Sequence, residues 1–201
     1  MNGFVEIIDG IYRLKVPFEA IYTSVFLIRS QDRVFLVDCA TTDCDVDLVI
    51  VPALRKMGYE LCDIDALVLS HRHSDHAGGA RRISELVPDI SIITDVRKLT
   101  EDITTYSLPG HTVDCIGIFD KRTNTLISAD GLQGAGVDRY RCYTELPDAY
   151  IETLERLRLD EGIENILFSH AYEPWDTDVI FGRKDVIACL EHCKKYVRKE
   201  K

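Results

Sequence analysis

The sequence lacks an excess of basic charge. Its 24 lysine and arginine residues face 34 aspartate and glutamate residues, which gives a formal net charge of −10 at pH 7. A nucleic-acid-binding protein usually carries a basic patch, and an electrostatic membrane anchor needs clustered lysine and arginine. The acidic balance therefore argues against a nucleic-acid partner and against a membrane partner. A small anionic substrate stays open, because a single pocket can be locally positive.

Long hydrophobic runs are also absent from the sequence. The longest apolar stretch, residues 48–54, is interrupted by Pro52 and is far shorter than the roughly 20 residues that span a bilayer. The first residues contain neither a basic region nor a long apolar region, so we expect no secretory signal. The seven cysteines are an odd number and form no Cys-x-x-Cys pair. This usage favours a reducing cytoplasm over a disulfide scaffold, and we expect a cytoplasmic protein.

The length of 201 residues predicts one domain with a hydrophobic core of its own. Strand-like runs at residues 4–8, 11–16, 22–28 and 33–38 predict an antiparallel meander at the start of the chain. Strands and helices alternate after it, and the whole pattern predicts an α/β fold with helices outside the sheets. Helices are predicted near residues 43–57, 77–87, from 147 onward and 183–199, and strands at 65–70, 90–94, 104–108, 115–119, 125–129 and 165–169.

Three of the six histidines fall in one segment, residues 71–76, which reads HRHSDH and directly follows the apolar run 65–70. Active sites in α/β folds favour the ends of such strands. Neutral imidazole and carboxylate groups bind zinc and other first-row divalent ions. In an extended loop His71 and His73 can face one ion, while Asp75 and His76 turn to a second. The alternative is a polar loop whose histidines form only hydrogen bonds.

Three further residues share the same position relative to a predicted strand. His111 lies in PGHT after the strand 104–108, Asp130 follows the strand 125–129, and His170 ends the segment FSH. Each residue on its own is typical of a turn or a core position. Their shared placement beside the HRHSDH segment makes them candidate metal ligands. His192 lies within the predicted last helix and has no such placement.

The order HxHxDH, PGHT, SADG and FSH resembles that of the metallo-β-lactamase fold superfamily, from about residue 4 to the end of the chain. The resemblance implies one domain over residues 1–201, built as a four-layer αββα sandwich with a dinuclear metal site between its two sheets. The ligand sets that it implies are His71, His73 and His111 for one ion, Asp75, His76 and His170 for the second, and Asp130 as a bridge.

The resemblance extends to Asp38, which matches an acidic residue that follows an early strand and supports the metal loop without binding an ion. The sequence departs from the usual pattern at three places. Cys39 and Ala40 follow Asp38 where a glycine is common, Val113 follows PGHT where a proline is common, and Ala129 precedes Asp130 where a glycine is common. None of these departures removes a ligand, so they concern the subfamily rather than the site.

The resemblance also implies an enzyme, a metal-dependent hydrolase of the glyoxalase II-like or lactonase-like kind. Two divalent ions, zinc or else iron or manganese, would carry more charge than Asp75, Asp130 and a hydroxide neutralise, which suits an anionic substrate. Metal-bound water with a pKa of about 7 would attack an ester, thioester or lactone. Asp75 and Asp130 are the predicted catalytic carboxylates.

The sequence leaves several alternatives open. Some superfamily members are mononuclear iron persulfide dioxygenases, and a small phosphodiesterase also fits the ligand set. His73 stands where flavodiiron-type oxidoreductases have glutamate, which argues against that branch. Only 31 residues follow His170 in the 201-residue sequence, so a glutathione-binding helical domain and a glutathione thioester are not expected. A homodimer is left open.

Substrate contacts are expected in the segments that follow two of the ligands. Arginine and tyrosine side chains there offer contacts to anions and rings. The candidates are Arg139, Tyr140, Arg141 and Tyr143 after Asp130, and Tyr172 after His170.

Overall fold

The computed structural model describes residues 3–132, 144–171 and 178–199. The chain divides into two compact units, Met1–Thr94 and Asp95–Lys201. Each unit contains one β-sheet with helices packed on it, so the predicted α/β class is confirmed. Among the described residues, no helix is both long and apolar enough to cross a membrane.

The first unit contains a six-stranded sheet in the order β1-β2-β3-β4-β5-β6. The predicted antiparallel meander is confirmed over the first four strands. β5 and β6 then add in parallel. β5 is buried along its whole length, as its apolar sequence predicts for a strand between two neighbours. The strands are β1 (Val5–Ile8), β2 (Ile11–Phe18), β3 (Ile21–Ser30), β4 (Arg33–Val37), β5 (Ala66–Val68) and β6 (Ser91–Ile93).

The helix predicted for residues 43–57 is a composite of three pieces. It consists of α1 (Asp43–Asp45), a π-helix (Val46–Ile50) and α2 (Val51–Lys56). Pro52 lies in the first turn of α2, directly after the π-helix, and a proline within a continuous helical stretch removes one backbone donor. The N-cap is Thr42, because the side chains of Thr42 and Asp45 cap each other's backbone N–H groups.

The helix predicted for residues 77–87 is shorter, as α4 (Ala80–Leu86), and a separate short helix, α3 (Ser74–Ala77), lies just before it. The break falls at Gly78 and Gly79, which pass close to the segment after β4. A Cβ on Gly78 would lie 2.0 Å from the Thr41 carbonyl oxygen, and one on Gly79 would lie 2.4 Å from the Cys39 carbonyl oxygen. Since α3 begins at Ser74, the expectation of a loop over residues 71–76 is wrong for its second half.

The second unit contains a five-stranded sheet in the order β11-β10-β9-β8-β7. β9 and β10 are parallel, and the other neighbouring pairs are antiparallel. Apolar side chains of α5 and α6 form a core with this sheet. The three-residue β11 was not predicted. The elements are β7 (Ile103–Ser107), β8 (Ile116–Asp120), β9 (Thr125–Ala129), α5 (Pro147–Leu159), β10 (Asn165–Phe168), β11 (Val179–Phe181) and α6 (Arg183–Lys199).

Parallel strand pairs determine where the candidate ligands lie within each unit. β4 and β5 are parallel, so Asp38, after β4, and the segment from Ser70 to His76, after β5, share one sheet edge. β9 and β10 are also parallel, so Asp130 and His170 share an edge of the second sheet. The carboxyl ends of parallel strands are common places for binding sites.

Candidate metal centre

His71 and His73 form the first candidate ligand pair. The Nε2 atom of His71 and the Nδ1 atom of His73 lie 3.0 Å apart, and the rings meet edge to face with centroids 4.7 Å apart. Arg72 between them is exposed. The segment is non-helical here, so the alternation of side chains brings both imidazoles to one point, as expected for an extended chain.

Asp75 and His76 form the second pair, on α3. The Oδ2 atom of Asp75 lies 3.2 Å from Nε2 of His76, and the His76 side chain is fully buried. Thr23, on β3, donates a hydrogen bond from its hydroxyl to Oδ2 of Asp75 at 3.2 Å. Nothing in the sequence pattern around Thr23 signals this contact, because it joins residues 52 positions apart.

Asp38 holds the segment that contains these ligands through hydrogen bonds. Its fully buried carboxylate accepts hydrogen bonds from the backbone N–H and the hydroxyl of Ser70 and from Nδ1 of His76, each at 2.8 Å. The residue has a left-handed backbone, with φ of 61°, which aspartate adopts more readily than most residues. Because Nδ1 of His76 donates to Asp38, its Nε2 is the atom left for a metal.

The second unit brings together His111, Asp130 and His170, all of which are buried. One carboxylate oxygen of Asp130 lies 3.6 Å from Nε2 of His111, and the other lies 3.3 Å from Nε2 of His170. Asp130 therefore presents a different oxygen to each histidine. A carboxylate that presents one oxygen to each of two ions would have this arrangement.

Two departures of the backbone from ordinary geometry accompany these ligands. Gly110, before His111, has φ of 153°, and a Cβ there would lie 2.5 Å from the Tyr150 ring. Ala129, before Asp130, has φ of 47°, a left-handed conformation that costs a non-glycine residue about 1–3 kcal/mol. A glycine would adopt this conformation without that cost, which explains why glycine is common at this position in the superfamily. Ala129 adopts it despite the cost.

The donor set fits divalent metal ions. Two ligand atoms that each lie about 2.1 Å from one ion, at a tetrahedral angle, are about 3.4 Å apart. The four pairs described above are separated by 3.0 to 3.6 Å. Imidazole nitrogens and carboxylate oxygens suit zinc, iron and manganese. In each unit the candidate ligands are therefore spaced as neighbouring atoms of a coordination shell are spaced.

Cys39 and Cys115 lie in the same loops as the candidate ligands, and both are buried. Burial, with the charge of Asp38, raises the pKa of the Cys39 thiol far above its usual range. Burial also raises the pKa of Cys115 to about 11. Both side chains are therefore neutral thiols at pH 7, which is the state of a packing residue rather than of a reactive one.

Arg139, Tyr140, Arg141, Tyr143 and Tyr172 all lie outside the described residues, and their role as substrate contacts stays a prediction.

Comparison with known proteins agrees with the motif and the fold. Residues 19–99 match the family model described as the metallo-beta-lactamase superfamily. A hydroxyacylglutathione hydrolase of Erwinia tasmaniensis is 26% identical over 155 residues, which cover 64% of this chain and 61% of that protein. One of Yersinia pestis is 28% identical over 138 residues, 57% of this chain and 55% of that protein. The chain thus spans little more than half the length of these relatives.

Solved structures resemble the chain over nearly its whole length. The metallo-β-lactamase DIM-1 has a TM-score of 0.75 at 15% identity and covers 100% of this chain and 98% of its own. FIM-1 from Pseudomonas aeruginosa, in its mono-zinc form, has a TM-score of 0.75 at 15% identity, and the match covers 99% of this chain and 96% of the FIM-1 chain. The chain is therefore a protein of the metallo-β-lactamase fold, and its resemblance to that superfamily is confirmed.

Proposed function

We propose that this protein is a hydrolase that binds two divalent ions, zinc or else iron or manganese, and cleaves an ester, thioester or lactone of a small anionic substrate. The observation that carries the proposal is the geometry of Asp130, whose two oxygens face two different histidines. The proposed ligand sets are His71, His73 and His111 for one ion and Asp75, His76 and His170 for the other, with Asp130 shared.

The ions, the two carboxylates and Asp38 have different roles in the proposed reaction. When bound, the ions supply hydroxide at neutral pH and polarise the scissile bond. Asp75 and Asp130, the proposed catalytic carboxylates, reduce the positive charge of the site without cancelling it. Asp38 orients His76 through Nδ1, which keeps Nε2 available to an ion.

The substrate class follows from chemistry and from the relatives. The relatives' name, hydroxyacylglutathione hydrolase, favours thioesters as the first class to test. The expectation that glutathione is not the thiol stays a prediction, so an S-acylglutathione belongs in the panel beside other thioesters, esters and lactones. Cytoplasmic location is likewise proposed, since all six cysteines among the described residues are free thiols.

The test is metal content followed by a substrate panel. Protein purified without a tag or added metal is analysed for its elements, and we expect about two divalent ions per chain and hydrolysis of at least one panel member. One iron per chain with oxygen uptake on a persulfide would replace the hydrolase by the dioxygenase alternative. Cleavage confined to phosphodiesters would replace it by the phosphodiesterase alternative, and a protein that binds no metal would refute the proposal.

Replacing His73 by alanine is expected to remove one ion and nearly all hydrolysis, because Nδ1 of His73 is one of the paired donors of the first site. Metal content and hydrolysis are measured on the same preparation. Arg72→Ala is the matched control, since Arg72 is exposed and belongs to neither pair. Unchanged metal content in the His73 variant would remove this residue from the ligand set.

Replacing Thr23 by valine keeps the shape of the side chain and removes the hydroxyl that donates to Asp75. We expect the second ion to bind about 10-fold more weakly, with a loss of stability of about 1 kcal/mol. Competition with a chromophoric chelator measures the affinity. Thr125→Val is the control, because the buried Thr125 hydroxyl donates to a backbone carbonyl of its own turn. Equal metal affinity in the two variants would contradict the assigned role of Thr23.

A further inference from the structure

Ser70 lies between the end of β5 and the first candidate ligand, and it is 1% exposed. Its hydroxyl oxygen is 2.8 Å from Oδ2 of Asp38 and 3.0 Å from Nδ1 of His71. Its backbone N–H donates separately to Oδ1 of Asp38 at 2.8 Å. The serine therefore connects the buried carboxylate to the histidine that follows it.

The Ser70 hydroxyl has only one proton to donate, and this determines the direction of its two hydrogen bonds. Asp38 accepts three hydrogen bonds, and one of them comes from the Ser70 hydroxyl. The single hydroxyl proton of Ser70 is then directed to Asp38. The hydroxyl can only accept from His71, so Nδ1 of His71 carries a proton. In a neutral imidazole this leaves the lone pair on Nε2.

We propose that Ser70 is a positioning residue that selects the tautomer and ring orientation of His71, so that Nε2 is its metal-binding atom. The proposal rests on the proposed function, because the metal is what that atom would bind. Nε2 of His71 is also the atom that faces Nδ1 of His73 at 3.0 Å. One carboxylate, Asp38, then orients a ligand of each proposed ion: His76 directly and His71 through Ser70.

The experiment compares three variants with the wild type. Ser70→Ala removes the hydroxyl but keeps the backbone N–H that binds Asp38, and Ser70→Thr keeps the hydroxyl. Ser24→Ala is the matched control, because Ser24 is also a fully buried serine of the first unit. It lies on β3, outside the hydrogen bonds that join Asp38, Ser70 and His71. Chemical denaturation of each variant shows whether it folds.

Two measurements read out the role of Ser70. The ¹⁵N shifts of the imidazoles in the chelator-treated protein report the tautomer of His71, with His71→Ala used to assign its signals. Zinc affinity is measured by chelator competition. For Ser70→Ala we expect a shift away from the Nδ1–H tautomer and a 10–100-fold weaker first ion. Ser70→Thr and Ser24→Ala should behave as the wild type.

An unchanged tautomer in Ser70→Ala would overturn the proposal, and so would an equal loss of affinity in Ser24→Ala, which would indicate a general effect of a buried hydroxyl. The tautomer measurement needs no bound metal. If the wild type binds no divalent metal ion, the proposed function fails, while the ¹⁵N shifts still decide whether Ser70 sets the tautomer of His71.

Discussion

Asp130→Asn is expected to abolish metal binding and to reduce hydrolysis by at least roughly 1,000-fold, since no metal-bound hydroxide would form at neutral pH. Asparagine has nearly the same shape as aspartate but only one oxygen. Asp130 uses its two oxygens to face His111 and His170. One histidine of the variant would instead face an amide NH₂ group, which cannot bind a cation.

Elemental analysis and hydrolysis assays on the Asp130 variant test this expectation, with chemical denaturation to show that it folds. Asp160→Asn is a suitable control, because Asp160 is in the same unit and accepts its hydrogen bonds from Tyr106 and Gly162. We expect this control to retain both ions. Two ions per chain in Asp130→Asn would show that the shared carboxylate is not part of the site.

Asp38→Ala is expected to cause the largest loss of stability, about 3–5 kcal/mol in the free energy of unfolding. The alanine would leave three donors, two on Ser70 and one on His76, without the acceptor they have now, and a buried donor without a partner costs about 1–3 kcal/mol. A typical domain has only about 5–15 kcal/mol in total. Denaturation of the chelator-treated protein measures the effect separately from metal binding.

Asp38→Asn tests the loss of hydrogen-bond acceptors without a change of backbone conformation. Asparagine tolerates the left-handed conformation that residue 38 adopts, but its amide provides only one acceptor oxygen. We expect a smaller loss of stability, about 1–3 kcal/mol, together with a 10–100-fold loss of metal affinity. Asp65→Asn is the control, since the Asp65 side chain is 25% exposed and pairs with Arg33. A metal affinity equal to that of the control would contradict the orienting role of Asp38.

Much of the fold could be predicted from local patterns. The antiparallel meander was predicted because strand-like runs follow one another with short turns between them, and β5 because a short apolar run predicts burial on both faces. The errors fall where distant chain segments meet. Gly78 and Gly79 are not helical, although they lie in the range predicted as a helix, because each approaches the segment after β4 closely. The periodicity of residues 77–87 does not indicate that approach.

The candidate site shows the same division. The sequence by itself determined which residue types are available and that each follows a strand: the HRHSDH segment, His111, Asp130 and His170. Only the tertiary structure decided which atoms they present. Ser70 and Asp38 are 32 residues apart, and parallel pairing of β4 with β5 brings them within hydrogen-bonding distance. The tautomer of a histidine depends on its hydrogen-bond partner, and the fold, not the neighbouring sequence, supplies that partner.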